Sequence, residues 1–336
     1  MRELSDFNMS SLKRKDLLDI QSLSVEEILL ICRSAKYFKD IFTRSVKSVP
    51  ILRGKSVCTL FYEPSTRTKL SFDLAAKRLS ADLINFSVST SSVVKGESLI
   101  DTVHTLEAMK VDYIVMRHAA SMAPHFLSRN IKASVINAGD GFHAHPTQGL
   151  LDSYSIMERR GSLEGGSMEG LHIGIIGDIK HSRVARSDIE AFKKLGARVT
   201  LCGPPTLVPD AFEHYGVEIS YNLDALLPQL DVINLLRIQK ERQKGSLFPS
   251  LREYHRQFAL TDERYRRCRD DVIIMHPGPV NRGIEIDDAV MSSPKTIINE
   301  QVTNGVAVRM AIFYLLAGGA PLEEMSEERG SLENSN

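Results

Sequence analysis

The segment Tyr62-Glu63-Pro64-Ser65-Thr66-Arg67-Thr68 places three hydroxyls and one guanidinium in four consecutive positions, between a β-rich run and an amphipathic stretch. That composition suits a phosphate or another oxyanion. Free backbone N–H groups at a helix start point outward, the helix dipole favours negative charge, and the side chains coordinate oxygens. A serine cap beside a surface arginine is the simpler reading, but it accounts for one of the four residues and leaves three without a role. Two nucleotide motifs fail. Gly54-Lys55-Ser56 ends like a phosphate-binding loop, yet the earlier glycine would fall at Val49 and the motif precedes the strand instead of following it. The run GIIGD (174–178) lacks G-x-G-x-x-G, which argues against redox chemistry on a dinucleotide.

The elements that must position this turn follow a βα rhythm. Runs VCTLF (57–61), DLINF (82–86), DYIVM (112–116) and SVINA (134–138) are each followed by a segment that can be helical. After a Gly-rich polar stretch (161–170) the rhythm resumes with LHIGIIG (171–177), ARVTLC (197–202), DVINLL (231–236) and DVIIM (271–275). Alternation of this kind predicts an α/β chain of two similar-sized domains, each a mainly parallel sheet flanked by helices. The expected division is 1–150 and 151–298. A helix over 145–160 joins the halves, with Leu150, Leu151, Tyr154 and Met157 at helical spacing. After the hydroxyl-rich turn, Leu70, Phe72, Leu74, Ala76 and Leu79 suit a packed helix. A last helix (299–317), with apolar Val302, Val306, Met310 and Phe313, stops at Gly318-Gly319 and is expected to pack back on the first domain. The tail from Glu323 reads as polar and loose.

The 336 residues are 43% hydrophobic, enough for two cored domains, and 42 basic residues balance 42 acidic ones. No net field draws the chain to nucleic acid or anionic lipid, so anion binding must be local. Cys32, Cys58, Cys202 and Cys268 are far apart and read as reduced, buried thiols. The N-terminus has no apolar leader core, and no stretch approaches the ~18 apolar residues of a membrane span, so a cytoplasmic protein is expected. His143 and His145 form an H-x-H pair of the kind some metal sites use. No cysteine or second histidine cluster supplies the remaining ligands, and no metal is expected.

Phe61-x-Glu63-Pro64-Ser65-Thr66-Arg67-Thr68 resembles the carbamoyl-phosphate signature of the aspartate and ornithine carbamoyltransferases. Similar stretches continue through Lys95-Gly96-Glu97, Met116-Arg117-His118, His145-Pro146-Thr147-Gln148, Gly177-Asp178 with Ser182-Arg183, Leu236-Arg237-Ile238-Gln239 and His276-Pro277-Gly278-Pro279. The resemblance implies that Ser65, Thr66, Arg67 and Thr68 grip the phosphate of carbamoyl phosphate and that Arg117 bridges phosphate and carbonyl oxygen. It likewise implies that His145 donates to the carbonyl oxygen, and that Gln148 and the Pro277 carbonyl beside Gly278 hold the carbamoyl NH2. Many relatives have leucine where this chain has Gly278, a residue that keeps the backbone contact but frees the loop. His118 and His172 match no functional position and read as structural. Neither metal nor organic cofactor is implied, because side chains and backbone dipoles can hold both developing charges.

The acceptor follows from charge. Aspartate carries two carboxylates and needs more than one forked cation, which Arg183 at a helix start and Arg237 at a strand end supply, with Gln239 beside them. An ornithine enzyme would need acidic groups, and its usual His-Cys-Leu-Pro motif is replaced here by His276-Pro277-Gly278-Pro279. The expected reaction therefore gives N-carbamoyl-L-aspartate, an early step of pyrimidine biosynthesis; the resemblance further implies that Lys240, Glu241 and Arg242 start a mobile loop. Ser91 and Lys95 sit in the polar loop STSSVVKGES, which in similar enzymes enters the neighbouring subunit's site. The resemblance thus implies a homotrimer with shared sites and leaves regulatory chains or a dihydroorotase open as partners.

Overall fold

The computed structural model describes residues 11–87, 98–239 and 248–319. Strands β1 (Ser56–Phe61), β2 (Asp82–Ser87), β3 (Tyr113–His118) and β4 (Ser134–Asp140) form one sheet in the order β2-β1-β3-β4. Strands β5 (His172–Ile176), β6 (Arg198–Cys202), β7 (Glu218–Ser220), β8 (Val232–Leu235) and β9 (Ile273–Met275) form a second, ordered β7-β6-β5-β8-β9. Every pairing is parallel. Each expected strand is present within a residue or two at its ends. The edge strand β7 had no signal in the sequence, because three residues, Glu-Ile-Ser, offer no usable alternation.

The helices in chain order are α1 (Val25–Ile41), α2 (Thr66–Arg78), α3 (Leu99–Ala108), α4 (Ala123–Ser128), α5 (Pro146–Arg160), α6 (Arg183–Lys194), α7 (Leu223–Leu226), α8 (Leu251–Phe258), α9 (Asp262–Tyr265), α10 (Asp288–Met291) and α11 (Ile298–Leu316). Helix α1 opens on a capping box between Ser24 and Glu27 and buries Ile28, Ile31, Cys32, Ala35, Phe38 and Ile41 along one stripe. It packs on α11, which also contacts α2 and α5. Nearly every side chain of α11 from Asn304 to Leu315 is buried, so this helix is apolar all round for the reason that neighbours cover all its sides.

Strands with helices on both faces read as near-continuous apolar runs, and the cores show why. In the first sheet Val57, Tyr113, Val115 and Ile136 face a central core, whereas Cys58, Leu60, Ile114, Met116 and Val135 face an outer one. In the second sheet Ile173, Ile175, Val199 and Val232 join that same central core, and Ile176, Cys202, Ile233 and Leu235 face the other side. The central core is therefore shared by both sheets, with α1, α5, α6 and α11 supplying its helices.

Helix α2 departs from its expected packing. Phe72, Ala75 and Ala76 are buried. Leu70 and Leu74, however, are 61% and 40% exposed, as is Ile84 on the edge strand β2, at 36%. The burial stripe of α2 is centred on Phe72 and Ala76, and Leu70 and Leu74 lie one turn apart on the opposite face.

Candidate active site

Both sheets reverse their winding at one place, and ligands of open α/β sheets gather beyond the carboxyl ends of strands at such switch points. In the first sheet that place lies between β1 and β3, where Phe61 pairs with Arg117. In the second it lies between β5 and β8. The chain beyond β1 carries Ser65–Thr68, and the chains beyond β5 and β8 carry Arg183 and Arg237. Gly177 allows the last two to approach: its φ is +131°, and a Cβ there would lie 2.9 Å from the Leu236 carbonyl oxygen.

A cleft of about 780 Å³ opens between the two switch points. Ser65, Thr66, Arg67, Thr68, Arg117, His145, Gln148, Arg183, Arg237, Gln239, Pro277 and Gly278 all line it. Ser91, Lys95 and the 240–242 segment lie outside the described residues. Among the described residues, five arginines border this space, Arg309 being the fifth, against a single carboxylate, Glu63.

Ser65 is the N-cap residue of α2, yet its hydroxyl makes no capping bond. The serine that begins α6, Ser182, does cap, accepting from the Ala185 N–H at 3.1 Å. The plain helix-cap reading of Ser65 therefore fails, and its hydroxyl is left to face the cleft with Thr66, Arg67 and Thr68. Arg67 opens onto the cleft. Desolvation by the walls and the Arg237 charge across it both lower the Arg67 pKa.

Glu63 carries the contact between halves. Its Oε2 accepts from Arg183 Nη2 at 2.6 Å and lies 3.6 Å from Arg117 Nε. Arg183 is almost wholly buried, and Arg117 also donates from Nη1 to the Ala138 carbonyl at 3.3 Å. His145 precedes α5, whose first residue is Pro146, and its backbone N–H donates to Ser187 Oγ at 2.8 Å, tying the start of α5 to α6. Gln148 Nε2 donates to both oxygens of Asp152 at 3.1 Å.

His276 is buried, and its pKa falls to about 3, first through desolvation and then through the charges of Arg67 and Arg237. It is neutral, with Nδ1 accepting from the Gly278 N–H at 2.8 Å. His143 and His145 part company: His145 reaches the cleft, whereas His143 Nδ1 pairs with Asp140 at 3.0 Å. His125, Asp140 and His143 offer ligand atoms within 4.8 Å of one another. Asp140 is already saturated, accepting from Met122 N, Asn137 Nδ2 and Ala144 N at 2.6, 2.9 and 3.0 Å, as a structural carboxylate does. His118 Nδ1 accepts from the Ala120 N–H, and His172 Nε2 meets Thr200 Oγ1, each at a distance typical of a structural bond.

Sequence reasoning assigned no role to Glu63, Ser71, Gln301 or Arg309, all of which line the cleft. A signal existed for Arg309: it is the one charge in the run VAVRMAIFYLL (306–316), and a cation inside an apolar helix needs a buried reason. Its Nη1 donates to Ser71 Oγ at 2.8 Å, its guanidinium lies 4.8 Å from the Phe72 ring centre, and burial lowers its pKa to about 10.

Residues 15–158 match the family described as "Aspartate/ornithine carbamoyltransferase, carbamoyl-P binding domain", and residues 169–316 match its "Asp/Orn binding domain". Among curated relatives, the aspartate carbamoyltransferase catalytic subunit of Endomicrobium trichonymphae is 56% identical over 306 residues, covering 91% of this chain and 96% of its own. That of Carboxydothermus hydrogenoformans is 57% identical over 308 residues, covering 91% and 97%. Aspartate transcarbamoylase from Trypanosoma cruzi, solved with carbamoyl phosphate and aspartate, superposes with a TM-score of 0.82 at 30% identity, over 91% of this chain and 98% of that one. The same enzyme with N-(phosphonacetyl)-L-aspartic acid gives 0.82 at 30% identity, over 90% and 96%.

Gly278 has φ +70°, and a Cβ there would come within 2.5 Å of Arg67 Nη1. Gly278→Ala should therefore displace the Arg67 guanidinium. Losing one charge-assisted hydrogen bond corresponds to a roughly tenfold weaker affinity for inorganic phosphate, readable by titration calorimetry. Unchanged phosphate affinity in the folded variant would show that Arg67 does not need that space.

Proposed function

We infer from this chain, which belongs to the aspartate/ornithine carbamoyltransferase family, an enzyme that moves the carbamoyl group of carbamoyl phosphate onto the amino group of L-aspartate. The products are N-carbamoyl-L-aspartate and phosphate, an early step of pyrimidine biosynthesis. The observation that carries this reading is the convergence of five guanidiniums and one carboxylate on a cleft between two switch points. Carbamoyl phosphate is a dianion near neutral pH and aspartate carries two carboxylates, and forked cations at both ends suit that pair. Ornithine, by contrast, brings a second ammonium, and the one carboxylate lining the described cleft is already engaged by Arg183.

In the reaction the aspartate amine attacks the carbamoyl carbon, a C–N bond forms, the C–O bond to phosphate breaks with its electron pair on phosphate, and the proton lost by the amine goes to the departing phosphate. Negative charge grows on the carbonyl oxygen and then on the leaving group. The role of the first half, over about 1–150, is to hold carbamoyl phosphate. Ser65, Thr66, Arg67 and Thr68 take the phosphate, Arg117 spans phosphate and carbonyl oxygen, and His145 donates to that oxygen. Gln148 and the Pro277 carbonyl beside Gly278 hold the carbamoyl NH2. The role of the second half, over about 151–298, is to hold aspartate through Arg183, Arg237 and Gln239. The neutral state of His276 keeps a further positive charge out of a crowded cation cluster.

The enzyme works as a homotrimer in which Ser91 and Lys95 of one subunit complete the site of the next. Exposed Leu70 and Leu74 on α2 and Ile84 on the edge strand β2 accord with that assembly as apolar side chains left uncovered in the single chain, and β2 leads directly into the segment holding Ser91 and Lys95. A cytoplasmic location accords with four free cysteines, three of them buried, and with the lack among the described residues of any helix long and apolar enough to cross a membrane.

Purified protein given carbamoyl phosphate should consume L-aspartate faster than ornithine. Arg67→Ala should lower turnover by at least ~10²-fold, the scale of losing a charge-stabilising donor. Arg237→Ala should weaken aspartate binding while carbamoyl phosphate still binds. Faster carbamoylation of ornithine would overturn the acceptor, and loss of carbamoyl phosphate binding in Arg237→Ala would overturn the division of roles.

The shared site has its own test. Arg67→Ala and Lys95→Ala chains, each nearly inactive alone, should regain activity when dissociated, mixed equally and reassociated. Each mixed ring holds one intact site, so roughly a quarter of all sites are whole. Confirmed subunit exchange without any rise in activity would remove Lys95 from the neighbouring site.

A further inference from the structure

Beneath the cleft floor, where α5 packs on α6, lie two buried carboxyl groups that the reaction as described does not use: Asp152 of α5 and Asp188 of α6. The helices come close enough one turn away that a Cβ on Gly149 would lie 3.0 Å from the Ser187 carbonyl oxygen. Asp152 accepts from Gln148 Nε2 on both oxygens at 3.1 Å and from Gln301 Nε2 on Oδ1 at 2.6 Å. Asp188 Oδ2 accepts from Asn234 Nδ2 at 2.8 Å. Its Oδ1 is fully buried and meets no N–H or hydroxyl donor among the described residues, and its carboxyl lies close enough to that of Asp152 for one proton to bridge them. Two carboxylates in contact cannot both be ionised in a buried site, so one proton must sit between them.

We propose that Asp152 and Asp188 are positioning residues for the carbamoyl transfer: as a buried pair sharing one proton, they hold Gln148 with its NH2 inward and its carbonyl oxygen toward the cleft. The inference rests on the reading of Gln148 as the group that receives the carbamoyl NH2. A glutamine amide has a donor end and an acceptor end of nearly equal shape, and only the acceptor end can take an N–H from the substrate. The neighbours decide which end faces out. An ionised Asp152 takes only donors, which fixes the Gln148 NH2 on its side, and Gln301 obeys the same constraint.

The proton belongs on Asp188. Asp188 as an acid donates to Asp152 through Oδ1 and accepts from Asn234 through Oδ2, which satisfies both oxygens; the reverse assignment would cost Asp152 acceptor capacity that two amide donors already use. Burial, the Asp152 charge and this hydrogen bond all favour the protonated form of Asp188. Asp152 is pushed up to about 7 by desolvation, against the hydrogen bonds from Gln301, Gln148 and Asp188 and the charge of Arg309, all of which favour its carboxylate. Those are the groups that act on it: Asp188 from α6, Arg309 and Gln301 from α11, and Gln148 from α5 itself. Asn234 reaches the pair from β8, so the network runs from the carbamoyl side of the cleft to the strand that leads to Arg237.

The sign follows. Burial raises Asp152 above the ordinary carboxylate range, so it takes up a proton at a higher pH than an exposed aspartate would; as pH falls it becomes a donor itself, and the Gln148 amide loses its fixed orientation. The wild-type kcat should accordingly show an acid limb. Asp152→Asn keeps the shape but replaces an acceptor-only group with a mixed one. It should lower kcat by on the order of 10-fold or more, change the KM for aspartate far less, and flatten that limb. Asp188→Asn, which keeps one donor toward Asp152 and one acceptor for Asn234, should recover turnover and limb that Asp188→Leu loses. Gln148→Ala serves as the reference. If it retains wild-type kcat, the reading of Gln148 fails and this proposal with it. If Gln148→Ala is impaired while folded Asp152→Asn keeps wild-type kcat and an unaltered acid limb, the proposal alone is overturned. Should Asp152→Asn not fold, the Asp188 variants decide: equal turnover in Asp188→Asn and Asp188→Leu contradicts the shared proton.

Discussion

Five guanidinium groups meet at one cleft, and like charges brought together in a partly desolvated space repel. A pair about 4 Å apart costs about 4 kcal/mol at an effective dielectric constant of 20. Much of the surrounding structure answers that repulsion. Glu63 stands between Arg117 and Arg183 and reaches both, so the first half of the molecule supplies the counter-charge for an arginine of the second. Asp152 lends its charge to the fully buried Arg309. His276 stays neutral first because burial disfavours its charged form and then because the charges of Arg67 and Arg237 oppose a further cation. Among the described residues, one carboxylate against five cations leaves a strongly positive cleft, which is the electrostatic condition for holding two anionic substrates side by side despite their own repulsion.

The fold makes this concentration geometrically simple. A single switch point in a parallel sheet gathers a few loop residues; two sheets that share a central core aim two switch points at the same space. Helix α5 contributes to the core, to the cleft through His145 and Gln148, and to the junction with α6 through Asp152. A single helix thereby fixes where the halves meet and how the cleft side chains point. The same arrangement explains why the polar groups under the cleft are buried yet bonded: the backbone and amide partners come from α5, α6, α11 and β8 together.

Much of this was legible in the sequence because the signals are local. A strand followed by a hydroxyl-rich turn and a helix start is a contiguous pattern, and the βα rhythm placed eight of the nine strands. What escaped detection depends on packing. Helix α1 has an N-cap and an apolar stripe, but its importance lies in covering α11, which no local pattern states. Leu70 and Leu74 suit a buried stripe by spacing, and only the position of Phe72 tells which face of α2 turns inward. Glu63 sits inside the phosphate signature, yet its bond is to Arg183, 120 positions away. Asp152 and Asp188 are ordinary acidic residues of two helices until those helices touch.

If the two switch points divide the substrates between them, a phosphate end binds at one and a dicarboxylate end at the other. A crystal structure of this protein with N-(phosphonacetyl)-L-aspartate, which joins both ends in one molecule, tests it most directly. The phosphonate should sit on Ser65, Thr66, Arg67, Thr68 and Arg117, with the two carboxylates on Arg183 and Arg237 and the Glu63 contacts rearranged to admit them. A phosphonate seated on Arg183 and Arg237, or a ligand bound outside the cleft altogether, would contradict it.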